Sequence, residues 1–416
     1  MRVSEIESLY AAVLGLSGAW KIDRVKTDLK AGEVHVWVAL PKGERWVCPE
    51  CLAAAPIHDH LERRWRHLDT CQFRTLVHAR VPRLDCPTHG IKQLPVPWAE
   101  PGSQFTALFE VLAIDWLKQA SISAVAKHLR ISWDEAAGIQ TRAVQRGLAR
   151  RAFEPAKYVG VDETSFQKRH EYVTITSDLE RGRVLYVGDD RTQASLDAFW
   201  LGLPREHLLA IEAVAMDMCA PYIQSTLLHV PAADEKIVFD KFHIAQNLNQ
   251  AVDQVRRSEH RRLSAEGDDA LKGTKFDWLR NLATFTRAAA QSFAELRRRM
   301  HRMARAWGLK AAAMAIFERR APWAARRDFE AWYAWAIRSR LAPIKRVART
   351  LKKYWDQIEN YFRHRITNAG AEAINTQVQQ VKARSRGFRN RERFKMAIYF
   401  HCGGLDLYPA AVARRP

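Results

Sequence analysis

Three acidic residues far apart in the chain have the chemistry of a site for a divalent cation. Asp162 and Asp217 stand at or just past the end of short β-branched, apolar runs, in YVGVDET and AVAMDMC. Glu372 lies much later, in TNAGAEAIN, on a stretch with the apolar spacing of a helix. Mg²⁺ prefers carboxylate oxygens and takes its remaining ligands from water and phosphate. A single acid after a strand is more often a turn residue or a helix cap, so the elements around these three must support the prediction.

Two short knuckles near the N-terminus have the spacing of zinc ligands. CPEC supplies Cys48 and Cys51, and CPTH supplies Cys86 and His89. Four such ligands on β-hairpins predict a zinc ribbon, in which Zn²⁺ is structural because no coordination position stays open. The residues that compete as ligands are Cys71, His58, His60 and His67. The alternative is that the cysteines are unpaired buried thiols.

The composition favours a protein that binds nucleic acid. The chain has 416 residues, 47% of them hydrophobic, and a formal net charge of +20. Its length suits about two to four domains, and so large a basic excess favours a polyanion, because cationic side chains release the counterions of phosphates. The six cysteines are too few and too unevenly placed for a disulfide scaffold. Without a signal peptide or an apolar run of about 18 residues, we expect a cytoplasmic protein and no membrane partner.

Residues 1–98 are predicted to form the zinc-binding domain. A helix is expected over 6–16, and alternating apolar and polar residues predict strands over 20–27, 33–40, 64–68 and 73–81. PVPWAEPG then has three prolines and a glycine, which marks a domain boundary.

Residues 103–151 are predicted to form a helix-turn-helix domain. A short helix over 123–129 is followed by a tight link and a second helix that begins at Ser132, a good N-cap, with Asp134 and Glu135 in its first turn. An ordinary helical hairpin has the same pattern, and the net charge favours DNA. The side chains of the second helix predicted to contact DNA are Gln140, Arg142 and Arg146.

The next region has the element order of a ribonuclease H-like domain. Strands are predicted over 158–162, 172–178, 183–189, 210–217 and 235–240, with a helix over 194–203. In that order Asp162 falls on the first strand and Asp217 at the end of the fourth. Asp240, in DKFH, follows the fifth strand and is a rival acid. We predict a catalytic domain over 155–255 and 364–405, interrupted by a large helical insertion over 256–363.

The insertion and the last helix are basic. Six tryptophans of the insertion could stack on bases, but core packing is the expected role for most of them. The last helix, predicted over 367–386, carries Glu372, with Asn375 one turn further on a shared face. The cations of the segment at its end, predicted to contact DNA, are Lys382, Arg384, Arg386, Arg389, Arg391 and Arg393.

Over nearly its whole length the chain resembles bacterial insertion-sequence transposases of the ISL-three group. The resemblance is carried by CPEC with CPTHG, VGVDETSFQKRHEYVTITSDL, AVAMDMCAPYI, IVFDKFHIAQNLNQAVDQVRR and TNAGAEAINTQVQQVKARSRGFRNRERF. DKFH and the pattern of Asn368, Gly370, Glu372 and Asn375 are the most specific pieces. In the second knuckle this chain has Cys-x-x-His, whereas a cysteine at the last position also looks familiar for this group. The assignment of His89 as a zinc ligand is therefore less secure than that of Cys48 and Cys51.

The resemblance implies a multidomain α/β protein with a zinc ribbon, a helix-turn-helix and a ribonuclease H-like DDE domain. Asp162, Asp217 and Glu372 would be its catalytic triad and would hold two Mg²⁺ or Mn²⁺ ions. The partners would be double-stranded DNA, as transposon ends and target, and a second copy of the chain, in the nucleoid of a bacterium. The alternatives are a DNA-binding regulator with an inert catalytic domain and a structure-selective nuclease that cuts but never joins.

Overall fold

The computed structural model describes residues 5–16, 19–41, 45–152, 154–167, 171–239, 241–366 and 369–410. The chain divides into two compact units, which are described separately below. The first unit contains the chain up to residue 152, Lys382–Arg386 and the residues from Tyr399 onward. The second unit contains residues 153–381 and 387–398.

A five-stranded sheet forms the first part of the first unit. Helix α1 (Glu5–Val13) precedes β1 (Lys21–Asp28), β2 (Glu33–Ala39), β3 (Ile57–Thr70), β4 (Phe73–Cys86) and β5 (Gly90–Gln93). The strand order is β1-β2-β4-β3, with β5 paired to β4, and only the β2–β4 pair is parallel. The predicted strands over 64–68 and 73–81 were too short, because β3 and β4 continue beyond the apolar stretches as a long hairpin with polar residues on its exposed face.

Three helices complete the first unit: α2 (Ala107–Gln119), α3 (Ile122–Leu129) and α4 (Trp133–Arg150). The predicted start of α4 is confirmed: Ser132 accepts from the Glu135 amide, and the Glu135 side chain accepts from the Ser132 amide, which forms a capping box. Helix α3 ends at Arg130, whose φ of 55° places it in the left-handed region. The predicted pair of helices joined by a tight link is therefore present.

The second unit is built on a mixed sheet. Its strands are β6 (Tyr158–Gln167), β7 (Glu171–Asp178), β8 (Arg183–Asp189), β9 (Ala213–Met216) and β10 (Ile237–Phe239). The order is β10-β9-β6-β7-β8: β6, β7 and β8 are antiparallel, whereas β9 runs parallel to β6 and β10 parallel to β9. The five predicted strands are confirmed, although β9 and β10 are shorter than expected. The helix predicted over 194–203 is two helices, α5 (Gln193–Leu201) and α6 (Arg205–Ala210), because Gly202 and Pro204 interrupt it.

Helices make up most of the rest of the second unit. They are α7 (Ala220–His229), α8 (Ala233–Lys236), α9 (Lys241–Ala265), α10 (Lys275–Leu279), α11 (Arg287–Arg299), α12 (His301–Ile316), α13 (Pro322–Arg338), α14 (Ala342–Lys353), α15 (Trp355–His364) and most of α16 (Ala369–Arg384) and α17 (Arg391–Cys402), whose last residues belong to the first unit. The core is continuous from the sheet into α9–α15, so these helices share the sheet's hydrophobic core.

The tryptophans of this helical region serve mainly in packing, as predicted. Trp278, Trp332 and Trp355 are buried, and Trp307 packs against the same core. Trp323 and Trp335 are exposed, at 69% and 43%. The described helices include no segment both long and apolar enough to span a membrane.

Candidate functional site

Asp162 and Asp217 lie at adjoining ends of two neighbouring parallel strands. Strand β6 pairs with β9 in the register Tyr158–Ala213, Val159–Val214, Gly160–Ala215. Continued by two residues, that register brings Asp162 beside Asp217, at the strand spacing of about 5 Å. Burial raises the pKa of the Asp162 carboxyl, and the negative charge of Asp217 raises it further. The structure thus brings these two predicted acids to one edge of the sheet.

Glu163 and Arg191 extend this cluster, and the sequence reasoning missed both. The Arg191 guanidinium lies between two carboxylates, with Nη1 3.0 Å from Glu163 Oε1 and Nη2 3.3 Å from Asp217 Oδ2. Burial, helped by the charge of Asp217, raises the pKa of Glu163 to about 7. The only sequence signal for Glu163 is its place directly after Asp162, and Arg191 has none, because the turn after β8 reaches the site only through the sheet topology.

Helix α16 lies along β6 and presents polar side chains to it. Asn375 donates a hydrogen bond to Asp162 Oδ2, and one turn later Gln379 Nε2 donates to Thr164 Oγ1 at 2.7 Å. One turn before Asn375, Ala371 approaches Gly160 so closely that a Cβ on the glycine would lie 3.3 Å from the Ala371 Cβ. The helix therefore contacts the strand at every fourth residue.

Glu372 is exposed on α16. It is three residues before Asn375, so the two side chains are neighbours on the helix surface, about 5–6 Å apart at their Cβ atoms. Among the described residues, Asp162, Asp217 and Glu372 do not form a cluster in which all three offer ligand atoms within 4.8 Å of one another. Glu372 thus lies within one helical turn of Asn375, the α16 residue that donates a hydrogen bond to Asp162.

The donor atoms of this cluster fit a divalent cation. Asp217 Oδ1 and Glu163 Oε2 are buried, and within the described parts of the chain neither has a hydrogen-bond partner. A buried carboxylate oxygen without a partner is unfavourable unless a cation or water satisfies it. Hard oxygen donors of this kind suit Mg²⁺ or Mn²⁺.

His243 is a further residue of the site that sequence reasoning did not assign. It lies in the first turn of α9, and its positive charge would lower the pKa of Asp162, opposing the effect of burial. The signal was present in the sequence, because His243 ends the DKFH stretch. The rival acid Asp240, from the same stretch, lies outside the described residues, as does Asn368.

The four predicted zinc ligands come together in the first unit. The ligand atoms of Cys48, Cys51, Cys86 and His89 all lie within 4.8 Å of one another. His89 Nδ1 is 3.8 Å from Cys48 Sγ and 3.7 Å from Cys86 Sγ, and the sulfurs of Cys51 and Cys86 are 3.6 Å apart. Three thiolates and one imidazole form a donor set for a structural zinc ion.

The surroundings of the cluster support zinc binding. Backbone N–H groups of His89 and Thr88 lower the pKa of the Cys86 thiol to about 6, which favours the thiolate that binds metal. The other ring nitrogen of His89 lies 3.6 Å from the Glu50 carboxylate, an arrangement that orients the imidazole. Among the rival ligands, Cys71 is exposed, and buried His67 is hydrogen-bonded to Thr106. None of the four rivals belongs to the cluster found among the described residues.

The side chains of α4 that were predicted to contact DNA lie partly or wholly inside the first unit. Gln140 is buried, and the Arg146 side chain is only 7% exposed. Arg146 pairs with Glu100 and with buried Glu110, and Arg142 Nη2 also lies 2.6 Å from Glu110. The two arginines thus join α4 to Glu110 of α2. A helical pattern alone does not show that a glutamate of α2 is buried and needs cationic partners.

The predicted basic segment is mostly exposed. Arg384, Arg386, Arg389 and Arg393 are exposed, and Lys382 and Arg391 are partly buried. Arg391 is tied to the end of β8, with Nη1 3.1 Å from the Asp190 carboxylate. The exposed arginines thus remain accessible to a ligand, whereas Arg391 already has an acidic partner.

A zinc ribbon, a helix-turn-helix and a mixed sheet with acids at its strand ends define a DNA-processing enzyme. Three family models match in this order: the zinc-finger of transposases IS204/IS1001/IS1096/IS1165 over residues 44–89, the helix-turn-helix domain of transposase family ISL3 over 94–144, and the ISL3 transposase domain over 159–398. The last match covers more than half of the chain, which therefore belongs to transposase family ISL3. The resemblance seen in the sequence is confirmed.

Two curated relatives match over most of their length. The transposase for insertion sequence element IS1001 of Bordetella parapertussis is 25% identical over 389 residues, which cover 92% of this chain and 95% of the relative. The transposase for insertion sequence element IS1557 of Mycobacterium tuberculosis is 25% identical over 355 residues, 79% of each chain. The likeness thus includes the zinc-binding and helix-turn-helix parts as well as the transposase domain.

Proposed function

We propose that this protein binds the terminal inverted repeats of an insertion sequence and catalyses metal-dependent DNA strand cleavage and strand transfer. Asp162, Asp217 and Glu372 are the proposed catalytic residues and the ligands of Mg²⁺ or Mn²⁺. The observation that carries the proposal is the placement of Asp162 beside Asp217 at the ends of adjacent parallel strands. The family membership of the chain supports the same reaction.

The catalytic domain is proposed to be ribonuclease H-like, formed by 155–255 and 364–405 around a helical insertion over 256–363. Its support is the strand order β10-β9-β6-β7-β8, in which three antiparallel strands are followed by two parallel ones. The zinc-binding domain over 1–98 and the helix-turn-helix domain over 103–151 complete the proposed division.

The side chains around the acids prepare them for cation binding. When bound, the metal ions would activate the attacking hydroxyl and stabilise the leaving oxygen of an in-line displacement. Asn375 holds one oxygen of Asp162 and fixes the orientation of its carboxylate. Arg191 offsets the charge of Asp217 and Glu163 while leaving one oxygen of each without a hydrogen bond among the described residues.

Double-stranded DNA is the proposed substrate, both as transposon end and as target. The segment proposed to contact its backbone supplies Lys382, Arg384, Arg386, Arg389, Arg391 and Arg393. A dimer or larger assembly of this chain is proposed because two ends must be held together for transposition.

The proposal is tested by replacing Asp217 or Glu372 with alanine. Each variant is expected to lose Mg²⁺- or Mn²⁺-dependent cleavage of a duplex carrying the element's end, because a carboxylate ligand is removed. Cleavage and strand transfer of precut ends are measured on gels, and binding of the same duplex in EDTA should not change. Full cleavage activity in either variant would remove that residue from the proposed triad.

Asn375 should affect the rate of cleavage by orienting Asp162, without itself binding the metal. Asn375→Ala removes the donor that orients Asp162, and we expect cleavage to fall about 10- to 100-fold, the usual effect of losing a partner of a metal ligand. Part of this loss should be recovered at higher Mg²⁺ concentration, which a purely structural defect would not allow. Gln380→Ala, on an exposed position of the same helix, is the matched control and should cleave normally.

A further inference from the structure

The outer face of the sheet formed by β1–β4 carries a row of cationic and aromatic side chains that the proposed function leaves unused. Cross-strand pairing sets Arg24 opposite Trp37, Trp37 opposite His78, and His78 opposite Arg64. Each of the four strands contributes one residue, and directly paired residues project to the same side of a sheet. We call these four residues the arginine row. The other face holds the buried core residues Val34, Val36, Val38, Val77 and Trp65.

The row is held in place by contacts within itself. The Arg24 guanidinium carbon lies 4.4 Å from the centroid of the Trp37 ring, and Trp37 stacks on His78 at 5.1 Å with an interplanar angle of 17°. His78 also shares a hydrogen bond of 2.9 Å with His35. Trp37 is thus covered by Arg24, so it positions a cation rather than offering a free ring to a base. A cation that is already fixed loses less conformational entropy when it binds an anion.

The two ends of the row are exposed cations. Arg24 and Arg64 are both exposed, and among the described residues neither has an acidic partner. Three inter-strand spacings separate them, roughly 14 Å. Duplex DNA rises about 3.4 Å per base pair, so the row matches the length of about four base pairs.

Arg64 also lines a crevice between this face of the sheet and the start of α4. The crevice has a volume of about 160 Å³ and is lined by Arg64, Arg66 and Arg74 from the sheet and by Ile131 and Glu135 beside α4. Arg66 is only 9% exposed, and its Nε is buried without a hydrogen-bond partner among the described residues. We call this feature the arginine crevice.

The acids near the crevice are already engaged. Asp69 pairs with Arg66 and with Arg130, and Glu33 pairs with Arg74. The Glu135 carboxylate accepts the backbone N–H of Ser132 at 2.7 Å, as part of the capping box. The buried Nε–H of Arg66 is therefore a donor that these acids leave unused.

The whole face has an excess of positive charge. Its basic side chains are Arg24, Lys26, Arg64, Arg66, Arg74 and Arg80, and its acidic ones are Asp28, Glu33 and Glu62, as fixed by the strand registers. Regularly spaced cations on a rigid surface complement a polymer with regularly spaced phosphates.

We propose that the arginine row and the arginine crevice bind the sugar-phosphate backbone of duplex DNA next to the helix-turn-helix, with one phosphate at the crevice. The proposal rests on the proposed function only in taking DNA as the substrate. These contacts position the duplex against the zinc-binding domain and do not read its sequence. The face therefore contributes equally to specific and nonspecific binding.

The test is the binding of the zinc-loaded full chain to a fluorescent duplex of unrelated sequence, measured by anisotropy in EDTA-free buffer without Mg²⁺ between 50 and 200 mM salt. The double variant Arg24→Ala, Arg64→Ala should bind about tenfold more weakly at low salt, and the slope of log affinity against log salt should fall by about 2, one unit per lost phosphate contact. Lysine at both positions should restore most of the affinity and slope, because the charges return.

Arg298→Ala removes an equally exposed arginine from α11 in the other unit and is the control for net charge. The proposal would be overturned if Arg298→Ala lost as much DNA affinity and salt dependence as the double variant, or if the salt slope of the double variant were unchanged. Zinc content and unfolding temperature of the double variant should match those of the parent protein, since both arginines are exposed. This experiment measures DNA binding, so its outcome does not depend on the cleavage results for the Asp217 and Glu372 variants.

Discussion

Asp162→Asn is expected to abolish DNA strand cleavage while leaving DNA binding intact. Asparagine keeps the shape of the side chain and can still accept the hydrogen bond from Asn375, but it has no negative charge to hold a divalent cation. Loss of several kcal/mol of transition-state stabilisation corresponds to a fall of about a thousandfold or more in the cleavage rate. The rate is measured under single-turnover conditions with Mg²⁺ and with Mn²⁺.

The same variant separates a catalytic role from a structural one. Burial raises the pKa of Asp162, which means that the folded, metal-free protein favours the neutral carboxyl over the charged one. Removing that charge should therefore leave the unfolding temperature unchanged or raise it. Glu180→Gln, at an exposed position in the same unit, is the charge-matched control and should cleave normally. A fully active Asp162→Asn protein would exclude the proposed site.

Local spacing was enough to predict the two pairs of candidate zinc ligands. Cys48 and Cys51, and likewise Cys86 and His89, are three residues apart, so each pair is brought together by one turn and only the two pairs had to meet. Sequence alone did not settle the fourth ligand. The pairing of β4 with β5 supplies the answer, because it closes the second knuckle with Cys86 opposite Gly90 and places His89 in the turn between them.

The site at the sheet edge was predictable only in part. The order of strands and helices along the chain follows from the apolar runs, but the parallel pairing of β6 with β9, which places Asp162 beside Asp217, is seen only in the structure. Arg191 and His243 come from a turn and from a helix on different connections, and no local pattern marks which side chain reaches the edge. The position of Glu372 relative to Asp162 depends on how α16 packs along β6, which the helical periodicity of α16 does not specify.

The contacts of α4 also depend on tertiary packing that the sequence pattern does not show. Arg142 and Arg146 were predicted to contact DNA because they lie on the second helix of the predicted helix-turn-helix. In the structure both pair with the buried carboxylate of Glu110, since an uncompensated buried charge is more costly than an arginine turned inward. The arginine row was not predicted, because alternation within one strand does not show which strands are neighbours; only the registers show that Arg24 and Arg64 align with Trp37 and His78 across four strands.

Removing zinc should unfold the zinc-binding part of the first unit and weaken DNA binding. Structural zinc sites contribute apparent binding free energies of about 10–16 kcal/mol, more than a small domain's own stability. Cys48 and Cys86 are almost completely buried in the ligand cluster, so loss of the ion removes the bond that joins the two knuckles. Cys48→Ser, or treatment of the parent protein with a strong chelator, should lower the zinc content to background and lower the unfolding temperature. Binding to a duplex carrying the element's end should weaken at least tenfold, because the module and the sheet face beside it lose their structure.

Cys71→Ser provides the matched control. Cys71 is exposed, lies near the same sheet and is absent from the ligand cluster. This variant should keep its zinc, its unfolding temperature and its DNA affinity. Retention of zinc by the Cys48→Ser protein, or equal losses in both variants, would contradict the assignment of Cys48. The two serine variants thus separate the loss of a zinc ligand from the loss of a thiol. When Zn²⁺ is added back after chelation, only the parent protein should recover both its folding and its DNA binding.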